Sequence, residues 1–117
     1  MNVAQPLVQA SLLGEAIDTG PVIVLVADED MRFVAVNQTA CDALGYSREE
    51  LLELLVTDIA HAPEAEDEYA EMVANGSRTG VSELLRKDGS TFTMKYRATK
   101  TKVAQMTFYV SVGWLED

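Results

Sequence analysis

Lysine and arginine are scarce in this chain: nine stand against 19 acidic residues, a formal net charge of −10. A phosphate backbone is held by clustered cations, so this balance argues against nucleic acid as a partner. It argues equally against an anionic membrane surface. Cysteine occurs once, as Cys41, and histidine once, as His61. One cysteine closes no intrachain disulfide, and no Cys/His spacing resembles a metal site, so nothing calls for an oxidising compartment. Long apolar runs are missing too. The longest strictly apolar run, Val22 to Ala27, is far short of the roughly 20 residues needed to span a bilayer. Before Glu15 the chain lacks the basic residues of a signal peptide. These absences lead us to expect a reduced cytoplasm and no membrane contact by this segment. With 117 residues the chain can build one sizeable core, not two. There is no internal repeat, low-complexity tract or phosphate-cradling glycine loop.

What is present is organised around Val22 to Leu51. An apolar run meets an acidic turn (Asp28, Glu29, Asp30), a second run covers Arg32 to Val36, and Asn37 opens a short helix that Gly45 closes. Asn37 can cap the free amides of the first turn, and Gly45 can adopt the left-handed conformation that ends a helix. Ser47 and Glu50 have the spacing of a capping box, with Leu51, Leu52, Leu54 and Leu55 as the apolar face of a second short helix. Thr57 to Pro63 reads as irregular. Glu64 to Asn75 reads as a helix, with Ala65, Tyr69, Met72 and Val73 at helical spacing. Its acidic start, Glu64, Glu66, Asp67 and Glu68, suits the positive helix end and is expected to face water.

Ahead of this core, residues 6–18 begin with Pro6 and place Val8, Leu12, Leu13, Ala16 and Ile17 on one broad face. This amphipathic helix either packs on its own domain or pairs with a second copy. In the second case Val8, Leu12, Leu13 and Ile17 form the homodimer interface. Thr19, Gly20 and Pro21 break it, so residues 1–19 are expected as a flanking helix and 20–117 as the domain.

The last third is strand-like. Val81 to Arg86 and Thr91 to Lys100 flank Lys87, Asp88, Gly89 and Ser90, and Asp-Gly between two such runs signals a hairpin. A bulge at Gly89 would turn Leu84 inward and leave Glu83 wet, which avoids burying an unpaired carboxylate. Phe92, Met94, Tyr96 and Ala98 alternate with polar residues and are expected inside. The final run, expected to be the longest and central strand, is read the same way: Met106, Phe108, Val110, Val112 and Trp114 inside, Thr107, Tyr109 and Ser111 outside. Two strands, several short helices and three strands make an α+β fold, one five-stranded antiparallel sheet with short helices on one face. The candidate pocket residues are Leu84, Met94, Tyr96, Phe108, Val110, Val112 and Trp114, because small-molecule pockets are mostly apolar with a few polar groups. No nucleophile stands near a base at catalytic spacing, so we expect no enzyme, and no metal ligands.

Several motifs in order carry a resemblance: Val36-Asn37 into Leu44-Gly45-Tyr46, Ser47-Arg48-Glu49-Glu50-Leu51, Asp58-Ile59 then His61-Ala62-Pro63-Glu64, and Lys87-Asp88-Gly89-Ser90. From about residue 20 to 115 the chain resembles a PAS domain. That family's five-stranded antiparallel sheet and short helices enclose a cavity used for haem, flavin, a covalent chromophore or small metabolites, or for nothing. The resemblance implies a sensory or regulatory domain of a signal-transduction protein such as a two-component histidine kinase. It would bind a non-covalent small ligand or a partner, act as a homodimer, and pass its signal to an output domain outside this chain. The alternative is a ligand-free module for dimerisation. Three departures stand out. Where the family ends its last strand in Asp-Ile-Thr, this chain has Gly113-Trp114-Leu115. The photochemical Asn-Cys-Arg-Phe motif is replaced by VTDIA over Val56 to Ala60, with Cys41 a small buried hydrophobe elsewhere. The helix that carries a haem histidine in some members has none here, and His61 holds a loop position. The cofactor, if any, is left open.

Overall fold

Asp28 turns the first two strands into a hairpin. Its Oδ1 accepts from the backbone N–H of Asp30 at 2.9 Å and of Arg32 at 3.1 Å, and Met31, at φ 66°, completes the turn. A computed structural model describes residues 6–60 and 76–115 of the chain. Its elements are α1 (Pro6–Asp18), β1 (Ile23–Ala27), β2 (Phe33–Val36), α2 (Gln38–Leu44), α3 (Arg48–Leu51), α4 (Val56–Ile59), β3 (Ser77–Leu85), β4 (Thr91–Val103) and β5 (Met106–Leu115). The expected helix over Glu64 to Asn75, with His61, lies outside the described residues.

The strands form one antiparallel sheet in the order β2-β1-β5-β4-β3. β5 is central, as expected, but the longest strand is β4, with 13 residues against 10. Between β1 and β2 the register shifts at Val26/Ala27. That irregularity breaks the two-residue alternation and lets Phe33 and Val36 both face the core.

The short helices cover one face of the sheet. Ala40, Cys41 and Leu44 from α2, Leu51 from α3 and Ile59 from α4 pack with Ile23, Leu25, Phe33, Leu84 and Met94 in one cluster. Leu44 and Leu51 are fully buried, each burial contributing roughly 1.5–3 kcal/mol. Two helical expectations change. α3 stops at Leu51, and Leu52 and Leu55 are exposed, because Leu55 bridges back to Arg32 and Leu54 accepts from the Phe33 N–H. Thr57 to Ile59 is helical rather than irregular: the Asp58 carboxylate accepts from the Leu55 N–H at 2.8 Å and starts α4.

Asn37 is the node of the first half. Its Oδ1 accepts from the Val24 and Ala40 N–H groups, both at 3.0 Å, and its Nδ2 donates to the carbonyls of Ile17 at 2.8 Å and Val22 at 2.9 Å. One buried amide thus caps α2, stitches the entry to β1 and anchors the end of α1. Asp18 adds to that anchor, accepting from the Gln38 N–H at 3.0 Å and from Arg48 Nη2 at 2.6 Å. No residue of α1 itself is buried. Its expected alternative of packing on its own domain is therefore not what the fold does.

The β3–β4 hairpin has the expected register. Gly89 takes φ 91° and its N–H donates to Arg86, while the Arg86 N–H donates to Ser90 at 2.7 Å. Leu84 is buried opposite Phe92, and Glu83 is exposed.

Candidate functional site

Strand register decides which side chains share the inner face. Ala98 pairs with Ser111, Tyr96 with Gly113 and Lys100 with Tyr109. On the other flank of β5, Leu25 pairs with Ser111 and Ala27 with Tyr109. Tyr109, Ser111 and Gly113 are therefore the inward residues of β5, and Tyr109 is buried. The sequence expectation had the right two-residue period and the wrong phase. Phe108, Val110, Val112 and Trp114 sit on the outer face, where Val110 and Val112 oppose Val26 and Val24 and Trp114 opposes Lys95. Trp114 and Met106 are exposed. In a central strand both faces are half-covered, so apolar character alone does not reveal which one meets the core.

Behind the inner face lies a cavity of about 100 Å³. The sheet supplies Leu25, Phe33, Leu84, Met94 and Ala98 to its apolar wall, and α4 closes one side with Val56 and Ile59. Of the sequence-derived pocket candidates, Leu84, Met94 and Tyr96 line it; Phe108, Val110, Val112 and Trp114 do not. The polar lining is Arg78, Ser82, Tyr109 and Ser111; Tyr109 and Ser111 were expected on the outer face, and Arg78 lies ahead of the strand that the apolar pattern marks. The cross-strand pairing of Tyr96 to Gly80 and of Ala98 to Arg78 would have found Arg78. It required extending β3 back to Ser77, four residues before the Val81 start that the apolar pattern marks.

Arg78 Nε donates to Tyr96 Oη at 2.9 Å. The pair sits at the cavity on the edge strand β3 and its neighbour. Ser82 is buried beside them. Burial pushes the Tyr109 phenol up from its usual value, and the negative charge of Glu29 adds to the shift. Tyr109 therefore meets the cavity as a neutral hydroxyl at neutral pH.

Gly113 makes room for the cavity wall. A Cβ at that position would lie 2.5 Å from Met94 Sδ and 2.7 Å from the Lys95 carbonyl. Met94 lies across the bare backbone at this position, so a side chain there would have to displace it.

Cys41 is buried in the core cluster on α2 and does not line the cavity. Burial pushes its thiol up; the nearby Arg48 opposes this, and Asp42 and Asp18 reinforce it. A protonated buried thiol is a poor nucleophile. Among the described residues there is no group of three or more His, Cys, Asp or Glu side chains placed to hold a metal ion. Nor, among those residues, is any helix long and apolar enough to cross a membrane. The dimer candidates Leu12, Leu13 and Ile17 are exposed on α1, and Val8 is half-buried.

A five-stranded antiparallel sheet in this order, with short helices over an inner-face cavity, defines a single-sheet α+β domain with one covered face. The family model for the PAS domain matches residues 21–117, and the chain belongs to that family. Among solved structures, a PAS domain from a two-component sensor histidine kinase superposes with a TM-score of 0.85 at 19% identity, covering 96% of this chain and 100% of the other. The PAS domain of an HTR-like protein from Haloarcula marismortui gives 0.82 at 22% identity, with 92% of each chain covered. A domain of a sensory box sensor histidine kinase/response regulator from Geobacter sulfurreducens gives 0.80 at 16% identity, covering 97% and 99%. At these identities the likeness is one of fold. No curated protein matches the chain by sequence.

Proposed function

We propose that this chain is the sensory input of a cytoplasmic signalling protein, such as a histidine kinase, and that it performs no catalysis itself. It binds a small non-covalent ligand in the inner-face cavity and passes the change to an output domain through α1. The observation that carries this reading is the cavity together with its route outward. Phe33 lines it at the start of β2, and that strand runs into Asn37, which holds the Ile17 carbonyl in the last turn of α1. A ligand that moves β2 thereby acts on the anchor of the helix. The fold likeness to a sensor histidine kinase PAS domain supports the same role.

A second reading, a ligand-free pairing module, has its own support. Leu7, Leu12, Leu13 and Ile17 expose apolar side chains along α1, a surface suited to pairing with the same helix of a second copy. The two readings are compatible if the pairing helix is what the ligand shifts.

Native mass spectrometry and an absorption spectrum of the purified chain, followed by hydrogen exchange on it with and without a displacing small-molecule library, test this. The expected result is a co-purifying or library ligand that changes amide exchange in the last turn of α1. A cavity that takes nothing in either format leaves the pairing module as the function.

A further inference from the structure

Asp18, at the end of α1, and Lys87, at the tip of the β3–β4 hairpin, clasp the same corner of the fold from two sides. Asp18 Oδ1 accepts from the Gln38 N–H at the start of α2, at 3.0 Å, and from Arg48 Nη2 on α3, at 2.6 Å. The Lys87 backbone N–H donates to the Leu44 carbonyl at the end of α2, at 2.9 Å, and its Nζ donates to Glu50 Oε2 on α3, at 2.6 Å. Each residue thus bridges the two helices across their joint at Gly45, whose φ is 83°. We propose that the α2–α3 corner is a strut that carries movement of the β3–β4 hairpin to α1, with Lys87 as its input clasp and Asp18 as its output clasp. This rests on the reading of α1 as the outlet given above, and it supplies a second route to that helix beside the one through Asn37.

The input end is continuous with the cavity. Ser82 and Leu84 on β3 and Met94 on β4 line it, and Lys87 lies in the turn that joins those strands. An occupant that shifts β3 therefore pulls on a turn already tied to both helices, a tie that Arg86 tightens by donating from Nε to the Ala43 carbonyl at 3.0 Å. The corner itself is stiff. Ser47 and Glu50 close a capping box at the start of α3. Glu50 divides its carboxylate between that cap, where Oε1 accepts from the Ser47 N–H at 2.8 Å, and Lys87, which takes Oε2. The same contacts hold the carboxyl at about 2, so it is ionised at neutral pH. Leu44 and Leu51 are fully buried beneath the corner, and a close-packed interior transmits displacement rather than absorbing it. At the output end no residue of α1 is buried, and its last turn is fixed by the Ile17 carbonyl on Asn37 and the Asp18 carboxylate on Gln38 and Arg48. The Arg48–Asp18 pair is partly exposed, so its hold is modest and reversible, as a switch requires.

Hydrogen exchange of the whole chain, read by NMR at Glu15 to Asp18 relative to Val110 in β5, tests the strut without any ligand. Lys87→Met, which removes the input ion pair and keeps the backbone bond, should raise exchange in the last turn of α1 roughly two- to fivefold, the scale of one exposed ion pair. Lys87→Arg should leave it near the parent value. Asp18→Asn should raise it by a similar factor, and adding Lys87→Met to Asp18→Asn should change it little further, because both changes break one chain of contacts. Glu50→Gln, whose amide oxygen can still accept from the Ser47 N–H, is the second input variant if Lys87→Met does not fold. Exchange in α1 that ignores both input variants overturns the strut, as do Lys87→Met and Asp18→Asn effects that multiply as independent factors; either result leaves the route through Asn37 standing. If Asp18→Asn and Asn37→Ser also leave the last turn of α1 unchanged, the reading of α1 as the outlet fails with the strut.

Discussion

Lys87 Nζ donates to Glu50 Oε2 at 2.6 Å, while the Lys87 backbone N–H donates to the Leu44 carbonyl at 2.9 Å. The tip of the β3–β4 hairpin is thus tied to the junction of α2 and α3. Arg86 reinforces the tie, with Nε donating to the Ala43 carbonyl at 3.0 Å and its guanidinium 4.5 Å over the Phe92 ring. Residues about 40 apart in sequence are brought together, and the helices that cover the sheet are held down at this end.

The pair has a pH signature. The hydrogen bond from Lys87, then those from Ser47, lower the Glu50 carboxyl from 4.5 to about 2. Because the folded-state value is the lower one, protonation favours the unfolded chain. The stabilisation is complete above about pH 4.5 and disappears as the pH falls through about 2. Glu50→Gln should lower the melting temperature slightly at neutral pH and converge on the parent in acid. High salt should shrink the difference, since the pair is exposed. Thermal melts across that pH range check it; a gap that persists unchanged at the acid end would refute the assignment.

Asn37→Ala should cost about 3 kcal/mol. The substitution removes a helix cap and leaves the buried Ala40 N–H and the part-buried Val24 N–H and Val22 carbonyl without their side-chain partner. Asn37→Ser, which keeps a capping oxygen but cannot reach the Ile17 carbonyl, should recover part of that loss. Hydrogen exchange should then report faster exchange at the end of α1 in both variants. Denaturant melts measure the first effect and mass-resolved exchange the second.

The β4–β5 turn is strained. Ala104 and Gln105 have φ values of 52° and 66°, the left-handed conformation that Asn-Gly adopts readily and other residues adopt at a cost. Replacing the two residues with Asn-Gly should stabilise the domain by about 1 kcal/mol, roughly 4 °C in melting temperature. The cavity is remote from this turn, so ligand binding should not change. A melting temperature that stays put or falls would refute the strain.

Gly113→Ala should be more harmful than its single methyl implies. The added Cβ meets the Lys95 carbonyl, which cannot move aside, as well as Met94. Overpacking of this kind costs about 1–3 kcal/mol, and displacement of Met94 should reshape the cavity wall. Denaturant melts give the first quantity. Pairing the change with Met94→Ala, which frees space, should recover part of it only if the clash is with the side chain.

Local chemistry was legible before the fold was known. Asn37 and Ser47 cap the helices they precede, Gly45 and Gly89 sit at positive φ, and Leu84 faces inward while Glu83 does not. Each of these depends on neighbours a few residues away, so the pattern contains the information. The candidate cavity was half legible: Leu84, Met94 and Tyr96 could be placed from alternation along one hairpin. Arg78 lies on the early part of β3, ahead of Val81, where the residues are polar or glycine and no apolar signal marks a strand.

By itself the sequence determined the kind of domain, its α+β order, its caps and its hairpin register, because these are set by short-range hydrogen bonding and by periodicity. Only the tertiary structure decided which face of β5 is inside. That choice is made by pairing with β1 on one side and β4 on the other, and it put Tyr109 and Ser111 on the cavity and Trp114 in water. It likewise decided that α1 is anchored at its end by Asn37 and Asp18 while its apolar side chains stay uncovered. An amphipathic pattern states that a face wants burial; only the placement of the rest of the chain states whether this molecule can provide it.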